Sequence, residues 1–100
     1  MNEFEKLIAG DKPVLVDFFA TWCGPCKMMA PVLEEVKGKV GDAATIIKVD
    51  VDRNNTLAMS YGIQSVPTLM LFKQGQLLWR ASGVQRADDL VRLINAEAKR

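Results

Sequence analysis

Histidine is absent from the 100-residue chain, which excludes imidazole acid–base catalysis, a Ser-His-Asp triad and any zinc site that needs a histidine ligand. Cysteine occurs only twice. A closed zinc site within one chain needs two further soft ligands, so only a site bridging two copies survives. Neither sign of charge dominates: 13 Lys and Arg against 12 Asp and Glu leave a net charge of +1, without the basic surplus that favours nucleic acid or an anionic membrane. No apolar run reaches the roughly 18 residues of a membrane span. The opening Met1-Asn2-Glu3-Phe4-Glu5-Lys6 lacks the basic-then-apolar order of a secretory signal, so the expected localisation is cytoplasmic. Internal repeats, low-complexity tracts and Pro/Ser-rich linkers are missing too, and a single domain over residues 1–100 is the expectation.

The composition, 49% hydrophobic and 25% charged, is that of an ordinary globular domain. At this size about two thirds of the unfolded surface can be buried, enough for a self-standing core. Phe4, Leu7 and Ile8 have helical spacing, and Gly10 follows where a glycine would stop a short helix. Val14 to Phe19 is a compact apolar run interrupted by Asp17 and predicts a buried strand. Met29, Val32, Leu33 and Val36 mark one face of a helix that should end near Gly38 or Gly41 and bend at Pro31. Ala44 to Val49 is a second apolar run, interrupted by Lys48. After a polar connection, Thr56 to Tyr61 predicts a short helix closed by Gly62. Thr68 to Phe72 and Gln76 to Ala81 then form two strands, and Lys73-Gln74-Gly75 between them is short enough for an antiparallel hairpin. From Ala87, Leu90, Leu93 and Ile94 repeat at helical spacing, with Asp88 and Asp89 favouring the helix dipole. This alternation predicts an α/β sandwich around a mixed sheet.

The two cysteines stand in Cys23-Gly24-Pro25-Cys26, after a predicted strand and at the start of a predicted helix. Unpaired N–H groups and the positive dipole end at a helix start favour a thiolate on the first cysteine. An ordinary thiol of pKa about 8.5 is only about 3% ionised at pH 7, whereas a pKa near 7, of the kind known for Cys-X-X-Cys dithiols, makes it about half ionised. Pro25 suits an early helical position, where its missing N–H costs little, and Gly24 leaves the first sulfur uncovered. A structural disulfide over so short a loop would contribute only about 1.9 kcal/mol by chain entropy. It stays open at this point, beside the two-chain zinc site and a redox dithiol, which the spacing favours.

Asp17 is the clearest local inconsistency, because an acid inside an apolar strand is expensive to bury and should have a raised pKa. Alternation puts Leu15, Asp17 and Phe19 on one face, and Lys48 interrupts the other run so that the two charges could pair. A structural ion pair, a solvent-facing position and a proton acceptor are all compatible with that pattern. Trp22 reads either as core or as an exposed apolar rim beside Cys23. Pro67 reads as a strand-start proline, Gly62, Gly75 and Gly83 as turn glycines, and Met28, Met29, Met59 and Met70 as core packing.

With these residues in place the chain closely resembles the thioredoxin family. The matching stretches are Val14-Leu15-Val16-Asp17-Phe18-Phe19-Ala20, Trp22-Cys23-Gly24-Pro25-Cys26-Lys27, Ala30-Pro31, Tyr61-Gly62-Ile63, Val66-Pro67-Thr68, Phe72 and Gly83. The dithiol pKa near 7 given above is this family's own value and is borrowed from it. The resemblance implies a three-layer sandwich and reduction of protein disulfides through Cys23 and Cys26. It further implies that Asp17 accepts the proton of Cys26, that the Val66-Pro67 bond is cis, and that Val66, Pro67, Gly83 and Trp22 receive substrate. Trp22, Gly24, Pro25 and Lys48 would support the sulfurs. No bound cofactor is implied beyond the redox-active Cys23–Cys26 disulfide, and no metal. The implied partners are a thioredoxin reductase-type flavoprotein and disulfide-containing proteins, met by a monomer. A thiol oxidase or isomerase and a redox-silent binding module are the rival readings; the uncharged Gly-Pro between the cysteines favours the electron donor. The sequence departs from the family in two places. Little precedes the first helix, so a sheet of four strands with a less protected edge is expected, and Phe19 stands where the family usually has Trp, which removes an indole N–H.

Overall fold

The two apolar runs that each carry one charge become neighbouring strands, β1 (Val14–Phe19) and β2 (Thr45–Asp50), paired in parallel with Asp17 beside Lys48. The computed structural model describes residues 1–99. On the other side of β1 runs β3 (Thr68–Lys73), antiparallel to it, followed by β4 (Gln76–Ser82), so the described sheet has four strands in the order β2-β1-β3-β4. The β3–β4 hairpin turns through Gln74 and Gly75, both at positive φ (54° and 79°), the conformation whose twist suits a two-residue turn.

Pleat alternation divides the apolar residues between two faces. Leu15, Leu69 and Leu71 point to one side, against Met29, Leu33 and Val36 of α2 (Gly24–Val40) and Leu90 and Ile94 of α4 (Ala87–Ala98). Val14, Val16, Phe18, Met70 and Phe72 point to the other. There they meet Phe4 and Ile8 of α1 (Glu3–Ile8) and Leu57 of α3 (Asn55–Ser60). The result is the expected three-layer sandwich with a mixed central sheet. Both faces of β1 are covered, which explains why its sequence reads as a continuous apolar run rather than an alternating one.

The helix ends fall where the glycines are expected to stop them. The first helix is opened by a capping box between Asn2 and Glu5 and is capped at Ala9, with Gly10 directly after the cap. The long helix runs through Gly38 and Pro31 and ends at Gly41, whose φ of 54° suits glycine. A short 3₁₀ turn, Gly41–Ala43, follows it and carries no periodic signal. Met29 and Met70 are core residues, but Met28 and Met59 are exposed, contrary to the packing expectation. Leu7 is exposed as well.

The Phe4 ring lies 5.4 Å from Tyr61, 5.6 Å from Phe72 and 6.3 Å from Phe18, and so fastens α1 to the sheet and to the end of α3. Removing a large buried ring typically costs about 3–5 kcal/mol. Phe4→Ala should therefore lower the urea midpoint by an amount equivalent to about 3 kcal/mol or more. A chain that melts like the parent would show that α1 adds nothing to the core.

Candidate active site

The parallel pairing of β1 and β2 continues past the strand ends: the Val51 N–H donates to the Phe19 carbonyl at 2.9 Å. That keeps the two loops beyond the strands together. One loop leads into α2, and Cys23 is the residue that caps it. Its backbone is extended (φ −93°, ψ 117°) and its Sγ accepts a hydrogen bond from the Cys26 N–H at 3.1 Å. Gly24 and Pro25 are the first two helical residues, positions where a proline leaves no needed donor missing. A Cβ on Gly24 would meet nothing within 4 Å, so this side of the loop is open.

Cys23 and Cys26 are joined as a disulfide with their Cα atoms 5.3 Å apart. Fractional exposure hardly separates the two, at 5% for Cys23 and 6% for Cys26. The difference lies in direction. Sγ of Cys23 sits at the helix start, receives an N–H and lies 3.6 Å from the Val66 carbonyl oxygen, whereas Cys26 lies within the first turn of α2. In the reduced state the amide donor and the helix dipole both favour a negative charge on Cys23. Ala20, Cys23 and Cys26 form a small buried cluster, against which Phe19, Val51 and Val66 pack.

The Val66-Pro67 bond is cis. Gly83, at a φ of 89°, donates its N–H to the Pro67 carbonyl at 2.8 Å, which ties the loop after β4 to the loop before β3. Thus Val66, Pro67 and Gly83 do come together beside Cys23, although 43 residues separate Val66 from that cysteine. Trp22 is 71% exposed, a rim residue rather than core.

Asp17, inside β1, has no exposed area. Among the described residues neither carboxylate oxygen has a hydrogen-bond partner. Burial pushes its pKa up to about 6, and the charge of Lys48 pulls in the opposite direction. The anticipated ion pair between the two does not form. Lys48 is the lateral neighbour of Asp17 in the sheet, but its ammonium lies over the Phe19 ring, 4.8 Å from the centroid.

Some residues at the site carry no sequence signal. The Trp22 indole N–H donates to Asp52 Oδ2 at 2.9 Å, a residue in the polar connection after β2. Trp22, Val51, Met59, Ile63 and Val66 line a groove of about 260 Å³ beside the sulfurs, with Met59 74% exposed at its rim. The Arg80 guanidinium on β4 donates to the carbonyls of Tyr61 and Gly62, anchoring the start of the loop that carries Val66. None of these follows from periodicity or spacing, because each depends on which loops the sheet order brings together. Among the described residues no cluster of three or more Cys, Asp or Glu side chains is placed to hold a metal ion. No helix among them is long and apolar enough to cross a membrane.

The geometry has close counterparts. The family model "Thioredoxin" matches residues 1–96. A thioredoxin-like protein of Synechocystis is 53% identical over 89 residues, which cover 88% of this chain and 85% of that one. A bifunctional thioredoxin reductase/thioredoxin of Mycobacterium leprae is 46% identical over 89 residues, covering 89% of this chain and 19% of the longer one. A mutant thioredoxin from Halobacterium salinarum superposes with a TM-score of 0.87 at 39% identity, over 98% of this chain and 85% of that one. A match along nearly the whole length, in sequence and in fold, with the cysteine pair intact, leaves one conclusion: the chain belongs to the thioredoxin family of protein-disulfide oxidoreductases.

Proposed function

We propose that the protein reduces disulfides in other proteins, with Cys23 as the attacking sulfur and Cys26 as the resolving one. The observation that carries this reading is the position of Cys23 Sγ at the helix start, where it accepts the Cys26 N–H at 3.1 Å. Cys23 thiolate attacks one sulfur of a substrate disulfide. A Cys23–substrate disulfide forms, and the other substrate sulfur leaves as a thiolate that takes up a proton. Cys26 then gives its proton to Asp17 and attacks the Cys23 sulfur, closing the Cys23–Cys26 disulfide and releasing the second substrate thiol. Two electrons have passed to the substrate, and an external dithiol or flavoprotein must return them.

Roles for the neighbouring residues follow from the same arrangement. The Val66 backbone is positioned to pair with an extended substrate segment, Pro67 and Gly83 shape the surface it lies on, and Trp22 offers it an apolar rim. Gly24 and Pro25 keep the approach to Cys23 open, and Lys48 supplies the charge next to Asp17. A thioredoxin reductase-type flavoprotein is the proposed electron source, a reading supported by the relative that carries both names in one chain. The redox-active disulfide serves as the only cofactor, and a monomeric chain in the cytoplasm, where thiols are kept reduced, suits an electron donor.

Reduction of a model protein disulfide by catalytic amounts of the chain, with dithiothreitol as regenerant, tests the proposal. The parent chain should accelerate the reaction well above dithiothreitol alone, and Cys23→Ser should abolish the acceleration. Equal rates with and without the protein would overturn the reading. In a glutathione series, a Cys23–Cys26 disulfide that persists under strongly reducing ratios marks a reductase, whereas one that forms only under oxidising ratios marks an oxidase or isomerase.

A further inference from the structure

Lys48 and Asp17 are lateral neighbours, yet the ammonium lies over an aromatic ring rather than on the carboxylate. The ring belongs to Phe19, two residues along β1 from Asp17 and on the same face of the sheet. Phe19 is half-buried and packs against the cluster formed by Ala20, Cys23 and Cys26, so its orientation is fixed by the core. Lys48 is exposed and has a flexible four-carbon stem. Without a surface to rest on, such an ammonium spreads over many rotamers and into solvent. A ring face attracts it through the negative quadrupole.

We propose that Phe19 is a positioning residue: its ring holds the Lys48 ammonium within electrostatic reach of Asp17 and thereby sets the proton affinity of that buried carboxyl. Of the other charged groups around the pair, Asp50 and Asp88 are engaged elsewhere, and Glu34 and Lys37 share a surface groove with Lys48. Asp50, on the same face of β2, accepts the Asp52 N–H at 2.9 Å and faces Arg53 at 3.9 Å. From β3 the residue opposite Asp17 is Leu69. On α2, Cys23 and Cys26 are joined to each other, while Glu34 and Lys37 line the surface groove that also borders Lys48. On α4, Asp88 is held by Lys39. The charge of Lys48 is the one that counteracts burial at Asp17.

This deepens the reading of Asp17 as a proton acceptor, but its test is read on the carboxyl itself. In the disulfide form the cysteines do not titrate, so the carboxyl ¹³C shift of Asp17 against pH reports that group alone. Phe19→Leu should raise the midpoint by about 0.3 to 0.5 pH units, a two- to threefold gain in proton affinity, because a less confined ammonium stabilises the carboxylate less. Phe19→Tyr, which keeps the ring, should leave it unchanged. Lys48→Gln should raise the midpoint at least as much, and adding Phe19→Leu to Lys48→Gln should produce no further shift. Phe19→Met serves the same purpose if the leucine variant does not give a folded spectrum. A midpoint equal to the parent's in a folded Phe19→Leu or Phe19→Met chain overturns the proposal. So does an equal rise in the Lys48→Gln background, which would mean that Phe19 acts on the carboxyl independently of Lys48. A shifted carboxyl midpoint with an unshifted pH–rate profile supports the proposal while removing Asp17 from the proton transfer.

Discussion

Cys26→Ser should stop the reaction halfway, leaving the protein covalently attached to whatever disulfide it has attacked. The reason is geometric and chemical together. Cys23 keeps everything that makes it reactive: it still caps α2, and residue 26 still offers its backbone N–H to the Cys23 sulfur. What is lost is the second thiol, and a serine hydroxyl is far too weakly acidic to attack a disulfide near neutral pH. The mixed disulfide can then be released only by an outside thiol. The expected loss of steady-state turnover is at least about 10³-fold, the scale on which removing one member of a coupled catalytic pair is felt. Incubating the variant with a model disulfide protein and running the products on a non-reducing gel should show a 1:1 adduct that collapses on adding dithiothreitol. Cys23→Ser should give no adduct. Adduct formation by Cys23→Ser and not by Cys26→Ser would reverse the two assignments.

Replacing Asp17 should make the fold more stable and the catalyst slower. The carboxyl has an ordinary pKa of 3.8 when the chain is unfolded and one of about 6 when folded, the rise being due to burial. Below about pH 4 it is neutral in both states and costs nothing by ionising. As pH climbs from there the unfolded chain gives up its proton first, so native stability falls through the window up to about pH 6 and then levels off. A difference of roughly two pH units corresponds to a penalty on the order of 3 kcal/mol above pH 7. Asp17→Asn, of nearly the same volume, removes the ionisation and with it the penalty. Urea melts of the disulfide form should therefore show the variant gaining on the parent by about 3 kcal/mol between about pH 3.5 and pH 8. A gap that does not change with pH would mean that the carboxyl is not held in an apolar surrounding. The same substitution removes the acceptor for the Cys26 proton. Closure of the mixed disulfide should slow on the order of a hundredfold at pH 7, at the lower end of general-base effects. The rate should recover toward high pH, where the thiol ionises without help. Parent and variant profiles that overlay would assign the proton to another acceptor.

The cost at Asp17 explains why this residue is legible without the structure. An acid in an apolar strand contradicts its surroundings, and such contradictions are readable because burial in β1 follows from local pattern alone. The cysteine pair is legible for a similar reason, since the strand before it and the helix after it are both marked by hydrophobic periodicity. Lys48 stands out as an anomaly of the second run, but its contact does not. The pattern suggests an ion pair, whereas the ammonium sits over Phe19. Trp22 is ambiguous because an aromatic residue serves equally well inside or at a rim, and Asp52, which fixes the indole, is 30 residues away in a segment without periodicity. Met59 shows the same limit: a methionine in a short helix reads as core, but α3 turns it toward the groove beside the sulfurs.

The order of residues along the chain is enough to specify the elements, their alternation, the redox pair and the one acid that burial makes unusual. Hydrophobic spacing of two or 3.6 residues and the helix-start position of Cys23 are properties of near neighbours. Which distant loops meet is a matter of long-range packing. The order β2-β1-β3-β4 places Val66 and Gly83 beside Cys23, Lys48 beside Asp17, and Asp52 within hydrogen-bond reach of the Trp22 indole. Those contacts depend on strand order and register, which the packing of both sheet faces settles at once and which no local pattern contains.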